Sequence, residues 1–430
     1  MPKGNRKKAG GKSGGRGRGG DADEELHHSD TISITSSLDE RSVCDGSVCG
    51  DQDVDESSQA EHFEEKVCMA MDGALDKSAT TRTNSLLALC TAFSKEYVPE
   101  FVESRRMTLS DTVEKSLKKG KSVEVAAAAD LAVLICLQLA DVSGVELVYS
   151  ELRHTLATLV ADNAQPAAAR AKCCLALGAI CYLSNAEPTE VHANMSLLES
   201  LVFSSARRDG GAGPAAAAVS PPLATAALQA WTLMVTDVSH NALLKVAESQ
   251  LPRLTALLES PDVELRIAAG EAIVALYELL WSVDDEFVGD DLDGLCAQLR
   301  QLATDSTKTR KKSDRKQQRC VFRDILHTFE DDEYPNDQVK FGREVLLIDT
   351  WSKKRLYDFL ASVLRSGTNT HLKQNELVRA ALGLGAPLVS AGSQVPRLSK
   401  LDRMYQLNEA TKCRQQARGK YRDKRTAIFD

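Results

Sequence analysis

Residues 266–277 read Arg-Ile-Ala-Ala-Gly-Glu-Ala-Ile-Val-Ala-Leu-Tyr, with a small residue three places after the arginine (Ala269) and apolar residues seven, ten and eleven places after it (Ile273, Leu276, Tyr277). Those offsets share one face of a helix with 3.6 residues per turn. The stretch therefore predicts a helix with a single buried stripe, whose small residue lets a neighbouring backbone come close. The same frame recurs upstream from Arg82 (Ser85, Leu89, Ala92, Phe93), Ala126 (Ala129, Val133, Cys136, Leu137), Arg170 (Cys173, Leu177, Ile180, Cys181) and Ala224 (Ala227, Trp231, Met234, Val235). Successive intervals are 44, 44, 54 and 42 residues. A period in the forties carried by such helices is the signature of HEAT or armadillo stacking. The expected fold is all-α, an armadillo/HEAT-like helical repeat solenoid over residues 61–330, a class that binds partners rather than transforming substrates. Between Ser204 and Pro222 the long interval holds SSARRDGGAGPAAAAVSPP, which reads as a loop-like insertion. Asp76 and Asp162 stand ahead of frame helices as first-turn acids, and Ser260-Pro261-Asp262 is the clearest helix start.

Charge along the 430 residues is segregated behind a net value of −8. Residues 1–20 hold seven Lys or Arg and no acid, and residues 21–65 hold fifteen acids and one Arg. What is left is nearly neutral, so any further basic cluster is a local feature. Residues 1–60 read as a disordered tail, basic and then acidic. Its GGRGRGG resembles an RNA-contacting arm, and Ser36, Ser37, Ser57 and Ser58 are candidate phosphorylation sites in a solvating spacer. No secretory apolar segment follows the amino terminus, and Leu131–Ala140 is too short to span a bilayer, so a soluble intracellular protein without membrane contact is expected. Eleven cysteines form no CxxC pair, and Cys90, Cys136, Cys173, Cys174 and Cys181 lie in apolar stripes, which predicts reduced core thiols. Cys44 and Cys49 fall in the acidic tail, where metal binding is a minor alternative.

Catalytic signatures are absent. Leu117–Ser122 (LKKGKS) imitates a phosphate loop, but Lys115 stands where its first glycine belongs, and a charged inter-helix linker fits better. The eight histidines form no HExxH, and His371 beside Asn375 and Glu376 reads as a helix-start contact. No GxSxG occurs. Acids around Gly289 (Asp284, Asp285, Glu286, Asp290, Asp291, Asp293) lack the order of a calcium loop and read as a solvated turn. No enzyme activity, cofactor, metal or small-molecule substrate is expected.

Counting on from Arg266, a sixth copy of the frame is due near Arg310, and there the apolar stripe fails. Lys308–Arg323 (KTRKKSDRKQQRCVFR) carries eight basic residues against one acid. Val321, Phe322, Ile325, Leu326 and Phe329 follow, so the segment predicts a helix with a charged first half and a docked second half. Lys311, Lys312, Arg315, Lys316 and Arg319, three and four apart, put several cations on one helical side, suited to tracking phosphates. Residues 331–395 change pattern: Lys340–Asp349 predicts a strand or buried extended segment, followed by helices at Trp351–Leu364 and Gln374–Leu382, the latter ended by Gly383, Gly385 and Pro387. Residues 396–430 predict one basic helix carrying Arg403, Lys412, Arg414, Arg418, Lys420, Arg422, Lys424 and Arg425, with Tyr421 able to stack on a base. A solvated tail or an import signal accounts equally well for that charge taken alone.

Several blocks together identify a resemblance. DKSATTR (Asp76–Arg82), RRMTLSD (Arg105–Asp111), LKKGKS, LRIAAGEAIVALYEL (Leu265–Leu279), LATDS (Leu302–Ser306), the KFG at Lys340, Trp351 with Tyr357, HLKQNEL (His371–Leu377) and RDKR (Arg422–Arg425) resemble, in this order, the interferon-related developmental regulator family from Glu61 onward. The resemblance implies an armadillo-like fold without enzymatic activity and two functional themes. One is ribosome binding and translational silencing in the cytoplasm, with the carboxy-terminal helix in the messenger path. The other is transcriptional co-regulation in the nucleus through chromatin-modifying, deacetylase-containing complexes. Gln415, Gln416, Gly419 and Tyr421 depart from the family's terminal alternation of Lys/Arg with Ala and Thr, and Gly419 weakens a helix there by roughly 1 kcal/mol relative to Ala.

Overall fold

The structure, a computed structural model, describes residues 53–203, 220–305 and 311–388. The expected insertion after Ser204 and the basic segment 396–430 lie outside these residues, as do Cys44, Cys49 and the arginine-glycine arm. Helix α1 (Asp53–Gly73) starts eight residues before Glu61, where the repeats were expected to begin.

Six helical hairpins follow one another: α1 with α2 (Ala79–Lys95), α3 (Pro99–Lys119) with α4 (Ser122–Gln138), α5 (Val142–Ala161) with α6 (Ala167–Leu183), α7 (Pro188–Val202) with α8 (Pro221–Met234), α9 (His240–Leu257) with α10 (Val263–Val283), and α11 (Leu292–Thr304) with α12 (Lys312–Asp331). The second helix of each hairpin packs on the second helix of the next, so α2, α4, α6, α8, α10 and α12 form a continuous row. All five copies of the frame lie on this row, and each of their twenty small and apolar positions is buried. The single stripe expected of each helix is too narrow a description. In α4, thirteen of seventeen residues are buried, since a helix of the row has neighbours on both sides and a hairpin partner behind it.

The first frame position has its own task. Arg82 donates to the Asp76 and Lys77 carbonyls (3.1 and 3.0 Å) and pairs with Glu124 of the next hairpin (2.7 Å). Arg170 donates twice to the Val160 carbonyl (3.0 and 2.8 Å), and Arg266 reaches the Ser260 carbonyl and Gln318 of α12. Each guanidinium thus satisfies carbonyls at a turn, where helix ends leave acceptors open. Asp262 is a true N-cap, accepting from Leu265 N at 2.9 Å, and Pro261 stands before that cap rather than inside the helix. Asp76 and Asp162 instead shape the preceding turns, through Ser78 N and Ala164 N.

The sixth copy does not fail; it is displaced. Starting from Arg315, 49 residues after Arg266, the offsets give Gln318, Phe322, Ile325 and Leu326. Gln318, Phe322 and Ile325 are buried and Leu326 packs against the core. A glutamine occupies the small position because it bridges hairpins, receiving Arg266 and donating to the Leu302 carbonyl (3.2 Å). Phe322 fits because its neighbour on α10 is Gly270, where a Cβ would stand 2.6 Å from the ring.

Beyond α12 the chain turns back over the row. Where a strand or buried extended segment was expected, the chain forms a hairpin of two strands, β1 (Asp337–Phe341) and β2 (Glu344–Ile348), turned at Gly342 (φ +56°). Next come α13 (Trp351–Leu364), α14 (Thr368–Gln374), which the sequence pattern did not announce, and α15 (Glu376–Ala381), ended by Gly383 at φ +69°. Helix α13 touches α2, α4, α8 and α10. At fourteen residues, ~21 Å, it lies across four helices of the row.

Candidate nucleic-acid interface

Two stripes divide α12. Gln318, Phe322, Ile325 and Phe329 recur at four, three and four residues and face the array, the first three fully buried. Lys312, Lys316, Arg319 and Arg323 recur at the same spacing about a third of a turn away, and all four are exposed. Lys311, the N-cap residue, is exposed beside them. Among the described residues no acid pairs with Lys311, Lys312, Lys316, Arg319 or Arg323; Arg319 Nε donates only along its own helix, to the Arg315 carbonyl at 3.3 Å. Arg315 is half-buried between the stripes, as its frame position requires. The basic stripe extends over twelve residues, Lys312 to Arg323, ~16 Å of helix. Of the residues expected to contact RNA, the structure thus brings Lys311, Lys312, Lys316 and Arg319 together on the exposed side of α12 and its cap and adds Arg323, while Arg315 does not join them; Arg403, Lys412, Arg414, Arg418, Lys420, Tyr421, Arg422, Lys424 and Arg425 lie outside the described residues. Arg323 was legible, being four residues past Arg319, but stood within the segment read as docking.

Charges elsewhere along the inner row are spent on joints. Glu278 of α10 accepts from Trp351 N (2.8 Å), Ser352 N (2.9 Å) and Ser352 Oγ (2.9 Å), closing the start of α13 together with the N-cap Thr350, whose hydroxyl accepts from Lys353 N (3.1 Å). Glu271 pairs with Arg355 at 2.6 Å, both nearly buried. Burial raises the Glu271 and Glu278 carboxyls above the usual range, against Arg355 in the first case and the Trp351 and Ser352 donors in the second. Arg379 holds Glu344 of β2 through both terminal nitrogens (3.0 and 2.7 Å).

His371 is no helix-start residue; that role belongs to Asn375, whose Oδ1 accepts from Val378 N at 3.0 Å. The Asn375 amide donates to the Leu137 carbonyl and to His371 Nδ1 (3.0 Å), tying α14 to the end of α4. An amide nitrogen only donates, so Nδ1 accepts and the neutral ring carries its proton on Nε2. Burial lowers the His371 pKa to about 4. The LKKGKS segment spans the end of α3, the cap Gly120 and the start of α4, so it is the linker expected. Burial pushes the Cys173 and Cys174 thiols up to about 12 and raises Cys90, Cys136 and Cys181, which disfavours thiolate chemistry. Among the described residues no cluster of His, Cys, Asp and Glu could hold a metal ion, and no helix is long and apolar enough to cross a membrane.

The fold and this surface define a helical-repeat protein with a basic face at one end of its row. Comparison with known proteins makes the assignment particular. The family profile described as interferon-related developmental regulator matches residues 31–330, and that of the interferon-related protein conserved region matches residues 375–426. Interferon-related developmental regulator 2 of Mus musculus is 40% identical over 382 residues, covering 88% of this chain and 87% of the relative. Interferon-related developmental regulator 1 is 37% identical in Mus musculus and 36% in Homo sapiens, each over 88% of this chain and 85% and 84% of the relative. The chain belongs to the interferon-related developmental regulator family, a family of regulators rather than a recognised class of enzyme.

Proposed function

We propose that this chain is a non-catalytic, ribosome-associated translational repressor acting in the cytoplasm. In this reading the array docks on ribosomal protein and RNA, α12 lies along RNA phosphates, and the basic segment 396–430 occupies the messenger channel and blocks it sterically. The supporting observation is the exposed row Lys312, Lys316, Arg319 and Arg323, fixed on a rigid scaffold by Phe322 and Ile325. Four cations without acidic partners repel one another, and a phosphate backbone relieves that repulsion while releasing counterions. A nuclear co-regulator that gathers deacetylase-containing complexes is the alternative. It has less support, because α13 and α14 already cover part of the inner row on which a solenoid would take a partner segment.

Sedimentation through polysome gradients tests the proposal, comparing the full chain with a truncation ending at Pro396. The full chain is expected to co-sediment and inhibit translation, and the truncation to inhibit much less. Equal co-sedimentation and equal inhibition would remove the channel-blocking role.

A further inference from the structure

Ser313 is exposed within the basic stripe, directly after Arg310-Lys311-Lys312, and the only contact described for its hydroxyl is an exposed one to Asp314 Oδ1 at 2.8 Å. Three successive cations ahead of a serine match the acidic substrate groove of basic-directed protein kinases, which select substrates by charge pattern. A kinase must also draw the residues around its target into an extended conformation. Here Lys312, Ser313 and Asp314 belong to the first turn of α12, and the first buried residue, Gln318, comes only afterwards. Opening that turn stops short of the first fully buried residue of α12 and is a low-cost local event.

The array contains an internal contrast. Arg105-Arg106-Met107-Thr108 also places cations three and two residues ahead of a hydroxyl residue, with Met107 in place of the third cation, and Thr108 is exposed. It sits in the middle of α3, immediately before the buried Leu109 and Ser110. Arg105 stacks on the Phe101 ring (4.1 Å to its centroid) and Arg106 pairs with Glu151 (3.2 Å). Extending that segment would dismantle a packed helix.

We propose that Ser313 is a phosphorylation site for a basic-directed kinase and that its modification switches off the α12 interface; the switching rests on the RNA reading above. The γ-phosphoryl group of ATP passes to Ser313 Oγ as its bond to ADP breaks and the hydroxyl proton leaves. The product places about two negative charges three residues from Lys316 and beside Lys312, cancelling two of the stripe's cations. Negative charge in the first turn suits the helix dipole, so α12 itself persists.

The test treats the full chain, Ser313→Ala and Thr108→Ala with the catalytic subunit of cAMP-dependent protein kinase and Mg-ATP, maps phosphate by mass spectrometry, and titrates each product with ribosomal RNA across salt. Phosphate is expected on Ser313 and not on Thr108. RNA affinity should fall roughly ten- to thirty-fold near 0.15 M salt, with the log–log salt slope shallower by about two, and Ser313→Ala should keep unmodified affinity after kinase treatment. Phosphate on Thr108 or the tails but not on Ser313 overturns the site. Phospho-Ser313 with unchanged affinity overturns the switch. If the untreated chain binds no RNA, the RNA reading and the switch fall together, while the mass spectrum still decides the site.

Discussion

The joint between α10 and α13 and the first half of α12 use charge in opposite ways. At the joint, Glu278 receives three hydrogen bonds from Trp351 and Ser352, and Glu271 meets Arg355. On α12, Lys312, Lys316, Arg319 and Arg323 face solvent without an ion pair to any acid among the described residues. Partnered, desolvated charge fixes geometry, because leaving either partner alone is expensive. Unpartnered, solvated charge costs the fold little and is available to a ligand. The comparison thus separates residues that build the scaffold from those the scaffold presents.

Breaking the joint should give the largest effect on stability. Arg355→Ala strands a buried carboxylate and should cost about 3 kcal/mol in denaturant unfolding, whereas Glu271→Leu with Arg355→Met should recover most of it. Equal losses in both variants would show that packing, not charge, dominates there.

The latch at His371 supplies a smaller, pH-dependent effect. Its folded pKa of about 4 lies below the ordinary 6.5, so the unfolded chain binds the proton more readily. The contribution is present above pH 6.5 and is lost as pH falls from there toward 4. Between pH 7 and 5 the unmodified chain should lose about 2 kcal/mol more than His371→Gln. Taking the difference cancels the opposing trend of Glu271 and Glu278, whose raised pKa values make the folded state weaken as pH rises through them. Parallel pH profiles would contradict the buried neutral ring.

Much of the scaffold was legible because its period is local. The offsets three, seven, ten and eleven after Arg82, Ala126, Arg170, Ala224 and Arg266 are set by helix geometry, and Trp351–Leu364 announced α13 residue for residue. The sixth copy was misplaced at Arg310 because Gln318 breaks the small-residue rule, and its reason to be there, Arg266, is 52 residues away. Helix α14 is too short for a periodic signal, and its hold on Leu137 crosses 238 residues of chain. The return of α13 over the row left no trace in any pattern, since Glu271 and Glu278 look like ordinary polar positions of a helix. On α12 the sequence named the cations and carried the spacing on to Arg323, and only the fold showed that Arg315 is half-buried between the stripes.

The central claim, that the exposed stripe of α12 holds RNA phosphates, is tested most directly by replacing Lys312, Lys316, Arg319 and Arg323 together with glutamine and measuring ribosomal RNA affinity across salt. The account predicts an unchanged unfolding midpoint to within about 1 kcal/mol, a salt slope shallower by about three to four, and affinity lower by roughly three decades near 0.15 M salt. The same slope and affinity as the unmodified chain, in a protein equally stable, would contradict it.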